Sequence, residues 1–175
     1  MDSESEVSMK LLFKQRFFSW FDSYNIYCLP DGMSADDFDY DEAHAVFRVE
    51  GQLAWGHSFR VYDRDGRELA RLEQEVFTFL AKFDIEIGGQ QIGRVEREFS
   101  FFSPRYTIDF RGWQVEGDIF GWDYSITDER GKKVASVSKE LFHFTDTYVI
   151  DIPDERDSLC ALMVVLAIDA DKCSK

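Results

Sequence analysis

Four cations, Arg130, Lys132, Lys133 and Lys139, fall within ten residues around "DERGKKVASVSKE". Lys and Arg gathered on one tip are the side chains that hold a phosphate headgroup, Arg through paired N–H donors and Lys as a point charge. These four are the candidate anion- and lipid-binding residues of the chain. Glu129 and Glu140 flank them, and charge runs of this kind are usually solvated faces. The matching stretch has Arg64, Arg67 and Arg71 interleaved with Asp63, Asp65, Glu68 and Glu73, which argues for ordinary surface.

A second chemistry is suggested by "DGMSADDFDYDEAH", where Asp31, Asp36, Asp37, Asp39, Asp41 and Glu42 have no nearby cation before Arg48. Asp37, Asp39 and Asp41 begin like a calcium-binding EF-hand loop. The sixth position is Glu42 where Gly must turn the chain, and the twelfth is Arg48 where a bidentate Glu is needed. The motif fails, and a disordered acidic loop is the default expectation. Catalytic residues are sparse. His44, His57 and His143 are the only histidines, and no nucleophile elbow, zinc-protease helix or Gly-rich phosphate loop occurs. His143 alternates with Phe142 and Phe144, as a surface or hydrogen-bonded histidine would. No catalytic residue, metal site or cofactor is expected.

Composition limits what these groups can serve. With 20 Lys and Arg against 34 Asp and Glu, the net charge of −14 repels nucleic acid and anionic membrane on average. Apolar residues at 45%, including seventeen Phe, exclude a disordered chain. At 175 residues, one domain with a full core is expected. Cys28, Cys160 and Cys173 are odd in number and too scattered for a disulfide or zinc framework, which suits a reducing cytoplasm. The N-terminus "MDSESEVSMK" lacks the basic and apolar pattern of an export signal, and residues 1–8 are expected to form a flexible acidic tail. The apolar run Leu159 to Ile168 reaches only about 15 Å as a helix, half a bilayer core, so no transmembrane segment is expected.

The elements that would position any site are written twice. "FRVYDRDGRELARLEQEVFTFLAKFDI" (59–85) and "YSITDERGKKVASVSKELFHFTDTYVI" (124–150) align without a gap. "DRDG" and "DERG" each end on a Gly that supplies the left-handed residue of a hairpin. Phe59 and Val61 before the first turn, and Ala70 and Leu72 after it, alternate as half-buried strands do. The apolar phase then flips near Glu75 and Glu140, predicting a bulge or sharp bend. Upstream, "FRVEG" (47–51) answers "WQVEG" (113–117), and downstream "FDIEI" turns through Gly88 and Gly89 into "QQIGRV". Five or six strands per half are expected, and about twelve strands would leave costly open edges unless the sheet closes. Trp20, Trp55, Trp113 and Trp122 fall in strand-like segments and are expected to pack in the core or at a girdle.

After the second copy comes "IPDERDSLCALMVVLAIDADK". Acidic residues favour a helix N-terminus, so a helix from about Asp154 to Asp171 is expected, with Asp154 or Asp157 as its cap. A final buried strand fits the same apolar run. As a helix it is apolar on every side, so it must be surrounded, with Cys160 as a small core hydrophobe.

"MKLLFKQRFFSWFDSYNIY", the paired hairpin phrase and "SLCALMVVLAID" together resemble the LURP-one-related, YxjI-like family of the Tubby C-terminal-like superfamily. The resemblance covers Met9 to about Lys172. It implies a mainly β, α+β fold: a closed antiparallel barrel of about twelve strands, built from two duplicated meander halves and enclosing a central C-terminal helix, as one domain over residues 9–172. It implies no enzymatic activity. The expectation is a non-enzymatic binding or scaffold module for an unidentified protein partner. The alternative is peripheral binding of phosphoinositide-like lipid headgroups, as in Tubby domains or scramblase relatives, through Arg130, Lys132, Lys133 and Lys139.

Overall fold

The computed structural model describes residues 7–14, 23–52, 54–142 and 145–173 of the chain. The expected tail therefore lies mostly outside the described residues, as do Trp20 and His143. Twelve strands follow in order: β1 (Met9–Lys14), β2 (Ser23–Leu29), β3 (Ala45–Gly51), β4 (Ser58–Tyr62), β5 (Glu68–Gln74) and β6 (Lys82–Ile87). The second half is β7 (Gln90–Glu98), β8 (Arg105–Ile108), β9 (Gln114–Asp118), β10 (Asp123–Thr127), β11 (Lys133–Phe142) and β12 (Thr145–Ile152). Each pairs antiparallel with its neighbours in sequence, and β1 closes on β12 from Met9 opposite Ile152 to Lys14 opposite Thr147. Closure removes the open edges that a twelve-strand sheet would otherwise expose.

The duplication is visible in the core. Phe59, Val61, Ala70, Leu72, Phe83 and Ile85 are buried in the first copy, and Tyr124, Ile126, Ala135, Val137, Tyr148 and Ile150 occupy the same places in the second. Both hairpins are built alike as well. Gly66 and Gly131 each have φ 76°. The Asp63 carboxylate accepts from the Asp65 and Arg67 amides, and Asp128 accepts from those of Arg130 and Lys132. A Cβ at either Gly would be strained by backbone angle alone, with nothing nearby to clash. Ladder irregularities follow at Val61/Tyr62 and at Ile126/Thr127.

Helix α1 (Ser158–Cys173) follows a short 3₁₀ turn over Glu155–Asp157, so the expected helix is present, and its first regular turn begins four residues after Asp154. Asp154 caps the 3₁₀ turn by accepting from the Arg156 amide. From Ala161 to Ala170 every helical residue is buried, whichever way it points. A helix buried on all sides in a chain whose other regular structure is one closed sheet occupies the lumen of that sheet, and the strand alternative falls. Its N-terminal end is tied to the β8–β9 connection by Arg111 to Asp157 at 2.5 Å. Its C-terminal end is tied to the β9–β10 connection, where Lys172 Nζ donates to the Ile119 carbonyl at 2.7 Å. A cation in the last turn also suits the helix dipole.

Two local expectations are corrected. Near Glu75 the chain does not bulge within a strand: β5 ends at Gln74 and residues 75–81 leave the sheet, closed by Glu75 N to Lys82 O at 2.9 Å. In the second copy β11 continues to Phe142. The acidic 31–44 segment is not disordered. It forms two 3₁₀ turns capped by Ser34 and Asp41, and it packs Ala35, Phe38 and Tyr40 against Tyr27, Leu12 and Val149 on the outside of the barrel. Tyr27 Oη to Tyr40 O at 3.1 Å and Tyr40 Oη to Ala35 O at 2.9 Å hold it there. Its aromatic residues, interleaved with the carboxylates, supply a small outer core that offsets the cost of ordering.

Enclosure of the helix sets a measurable expectation. Leu166 and Ile168 project about 200° apart around the axis, so an amphipathic helix would bury one and expose the other. Here Leu166→Ala and Ile168→Ala should each cost about 2–5 kcal/mol in urea unfolding. A near-neutral result at either position would contradict the enclosure.

Candidate functional site

Because neighbouring strands are antiparallel, consecutive connections alternate between the two ends of the barrel. The β2–β3, β4–β5, β6–β7, β8–β9 and β10–β11 connections share one end, called here the hairpin end. The β3–β4, β5–β6, β7–β8 and β9–β10 connections share the other.

The four candidate cations are not brought together. Arg130, Lys132 and Lys133 are exposed at the hairpin end, where the Asp154 carboxyl has its pKa lowered to about 2 chiefly by a hydrogen bond from Arg156, with Lys132 adding to the effect. Lys139 lies opposite Tyr148 further along β11, about 20 Å from Lys133 at strand rise, and is half-buried. A single headgroup cannot be clamped by all four. Among the described residues no three His, Cys, Asp or Glu side chains converge as a cation site.

The end opposite the hairpins is different. Of the ten exposed large apolar side chains among the described residues, eight are there. Trp55 stands on the β3–β4 connection; Val76, Phe77 and Phe79 on β5–β6; Phe99, Phe101 and Phe102 on β7–β8; and Phe120 on β9–β10. Phe77 and Phe102 are each 98% exposed, and Trp55 87%. Trp113 and Trp122 pack in the core as expected, whereas Trp55 is corrected: it lies in a connection beyond the end of β3, so no facing layer covers it. Phe77 has a left-handed backbone, φ 64°, a costly conformation for a bulky residue. Neither packing nor backbone preference accounts for a Phe at that position.

Below these tips the C-terminal end of α1 carries a buried polar cluster. Asp171 Oδ2 accepts from Arg97 Nη1 at 2.9 Å and from Tyr106 Oη at 2.5 Å. Burial, then the bond to Asp171, pushes the Tyr106 phenol far up. His57, stacked on Phe59 at 6.1 Å, has its imidazole pKa lowered by burial, with Asp171 opposing. A cavity of about 450 Å³ reaches from Val76, Phe77 and Phe79 down to Arg97 and Asp171. Its lining mixes Val76, Phe77, Phe79 and Leu80 with Gln74, Glu75 and Thr78, and Arg97 and Asp171 within it are already paired. A second cavity, about 610 Å³, lies over the β8–β9 seam, where the ladder is held by Thr107 opposite Gln114. It is lined by Glu98, Arg105 and Glu116 together with Tyr106 and Trp113.

Two residues back, Asp169 is 1% exposed. Its Oδ1 and the Tyr124 hydroxyl have no hydrogen-bond partner among the described residues. Burial pushes the Asp169 carboxyl up to about 7 against the pull of Lys172, and burial, with the Asp169 charge adding to it, raises the Tyr124 phenol.

Closed twelve-stranded barrels threaded by one C-terminal helix form the Tubby-like fold class, and the chain falls in it. The chain belongs to the LURP-one-related family, whose sequence profile matches residues 9–169. It is 29% identical over 162 residues to "Uncharacterized protein YxjI" of Bacillus subtilis (strain 168), a match covering 92% of each chain. The X-ray structure of a protein from Arabidopsis thaliana, AT5G01750, superposes with a TM-score of 0.58 at 12% identity, over 93% of this chain and 91% of that one. At that identity the likeness concerns the fold alone.

Sequence alternation alone hides the aromatic end, because Phe77 and Phe79 alternate as strand residues do. The available signal was parity: in a closed meander every second connection shares an end, and "VFTFL", "FSFFSP" and "DIFGW" are all odd-numbered connections.

Asp169 makes stability depend on pH. Its folded-state value lies above the unfolded 3.8. The folded protein therefore keeps a proton that the unfolded chain releases, and this stabilisation is complete below about pH 3.8 and lost as pH rises through about 7. His57 acts in the opposite sense below its ordinary 6.5, so the comparison must be with a variant. Asp169→Asn should gain Tm relative to wild type as pH is raised from about 5 to about 8. A pH-independent difference between the two would refute the assignment.

Proposed function

We propose that the protein is a non-enzymatic, cytoplasmic binding module that docks its partner through the aromatic end of the barrel. One observation carries this: eight of the ten exposed large apolar side chains among the described residues stand on the connections of that one end. Apolar exposure concentrated at one end of a folded domain costs solubility and marks an interaction surface. The lumen, where a barrel of this size would hold a substrate, is filled by α1. The buried Asp171 and Tyr106 and the half-buried Arg97 are committed to one another, which suits a structural role better than proton transfer. Cys28 and Cys160 are free thiols whose pKa values are raised chiefly by burial, in keeping with a reducing compartment.

The headgroup alternative has less behind it, since three of its four cations sit at the hairpin end and the fourth is well along β11. A photo-crosslinking residue placed at Phe101, or at Asp65 on the hairpin end, distinguishes the two in the source cell. The expected outcome is adducts from position 101, of whatever chemistry, and none from position 65. Adducts from position 65 alone would contradict the proposal.

A further inference from the structure

We propose that the partner of the aromatic end is the boundary layer of a weakly charged lipid bilayer, into which the loop tips insert. This rests on the reading of that end as the docking surface. The argument is first one of shape. Phe77, Phe79, Phe101, Phe102 and Trp55 protrude from three separate connections, each at least 85% exposed. Protein partners usually meet a closely packed patch, with complementarity near that of a protein interior. Separate convex tips leave water between them against any rigid surface. A bilayer deforms around each tip, and aromatic rings are favoured at its boundary.

Charge selects the kind of bilayer and argues against a second copy of the chain. The strand and helix ends beneath the tips carry Glu75, Glu96, Glu98, Asp118, Asp123 and Asp171 against Lys14, Lys82, Arg97, Arg105 and Lys172. Of those cations, Arg97 is bound to Asp171, and Lys82 lies 3.5 Å from Glu96. A rim with excess carboxylate on a chain of net charge −14 is repelled by anionic lipid and by its own copy, and not by a zwitterionic surface. The backbone agrees with the shape. Phe77 is held outward in a left-handed conformation, and Phe99 braces Phe101 edge-on at 4.9 Å. These tips are thus presented in a set geometry.

The mode differs from headgroup capture in its response to salt and lipid charge. Full-length protein is floated with phosphatidylcholine vesicles, and with vesicles to which phosphatidylserine is added, at low and high salt. Binding to phosphatidylcholine is expected, undiminished by salt and weakened by phosphatidylserine, with a blue shift of Trp55 emission measured against Trp55→Phe. Phe77→Ser/Phe79→Ser/Phe101→Ser/Phe102→Ser should lower binding about tenfold or more, and its melting should match wild type because those side chains are exposed. Met33→Ser, at the hairpin end, should bind as wild type does.

Absence of flotation by wild type would overturn the proposal, as would salt-sensitive binding that needs phosphatidylserine and survives the four substitutions. If vesicles go unbound while position 101 crosslinks to protein, the bilayer falls and the docking end stands. If position 101 gives no adduct and vesicles go unbound, both fall.

Discussion

An apolar helix with no polar face has to be enclosed. Seven large apolar side chains of α1 would cost on the order of 10–20 kcal/mol if exposed, more than the net stability of most domains. Most of the fold follows from meeting that requirement. The sheet closes, its lumen-facing positions are apolar in both copies, and the helix ends are the places where the lumen is tied to the wall. Duplication suits the task, because two similar meanders supply two similar half-shells around one cylinder. The departure of the copies after β6 and β12 then has a physical sense: the first continues into β7 and keeps the wall going, and the second ends in the helix that fills it.

Threading the lumen makes the two ends of the molecule unlike. At the hairpin end tight turns carry charge, the 31–44 segment covers the outer wall, and Arg111 holds the start of α1 through Asp157. At the other end Trp122 and Tyr148 close over the helix with rings 4.1 Å apart, and Lys172 lies 3.8 Å from the Trp122 ring centre. Beneath that closure sit Asp169 and Asp171, one with no partner for Oδ1 among the described residues and the other doubly bonded. Carboxylates so deep are costly. They mark the aromatic end as the place where stability has been given up, and this is also where the exposed rings gather.

The fold was legible because it is carried by patterns the chain repeats. The alternation around Val61 and Ala70, the Gly at the end of each "DRDG"-like turn, and the continuous apolar run after Ser158 each state their geometry locally. What was illegible depended on where the chain leaves the sheet. Phe77 and Phe79 look like strand residues by their own alternation, and only the ladder shows that β5 has already ended at Gln74. Trp55 misled for the same reason, as it lies between two strand-like segments. Of the four candidate cations, one stands apart from the other three. Lys139 is close to Lys133 in sequence, but an extended strand carries it about 20 Å away. The order in the 31–44 segment was hidden because its carboxylates dominate the composition, while Phe38 and Tyr40 determine the packing.

The enclosure of α1 is most directly tested by thiol labelling of the native protein carrying single cysteines in place of Ala161, Ala167 and Ala170, which point in different directions around the helix. With the helix sheathed on all sides, all three should label only as fast as the whole domain unfolds, each peptide being resolved by mass spectrometry. Labelling of any one of them at the rate of a free surface thiol, in protein that remains folded, would show that side of the helix open to water and would contradict the account.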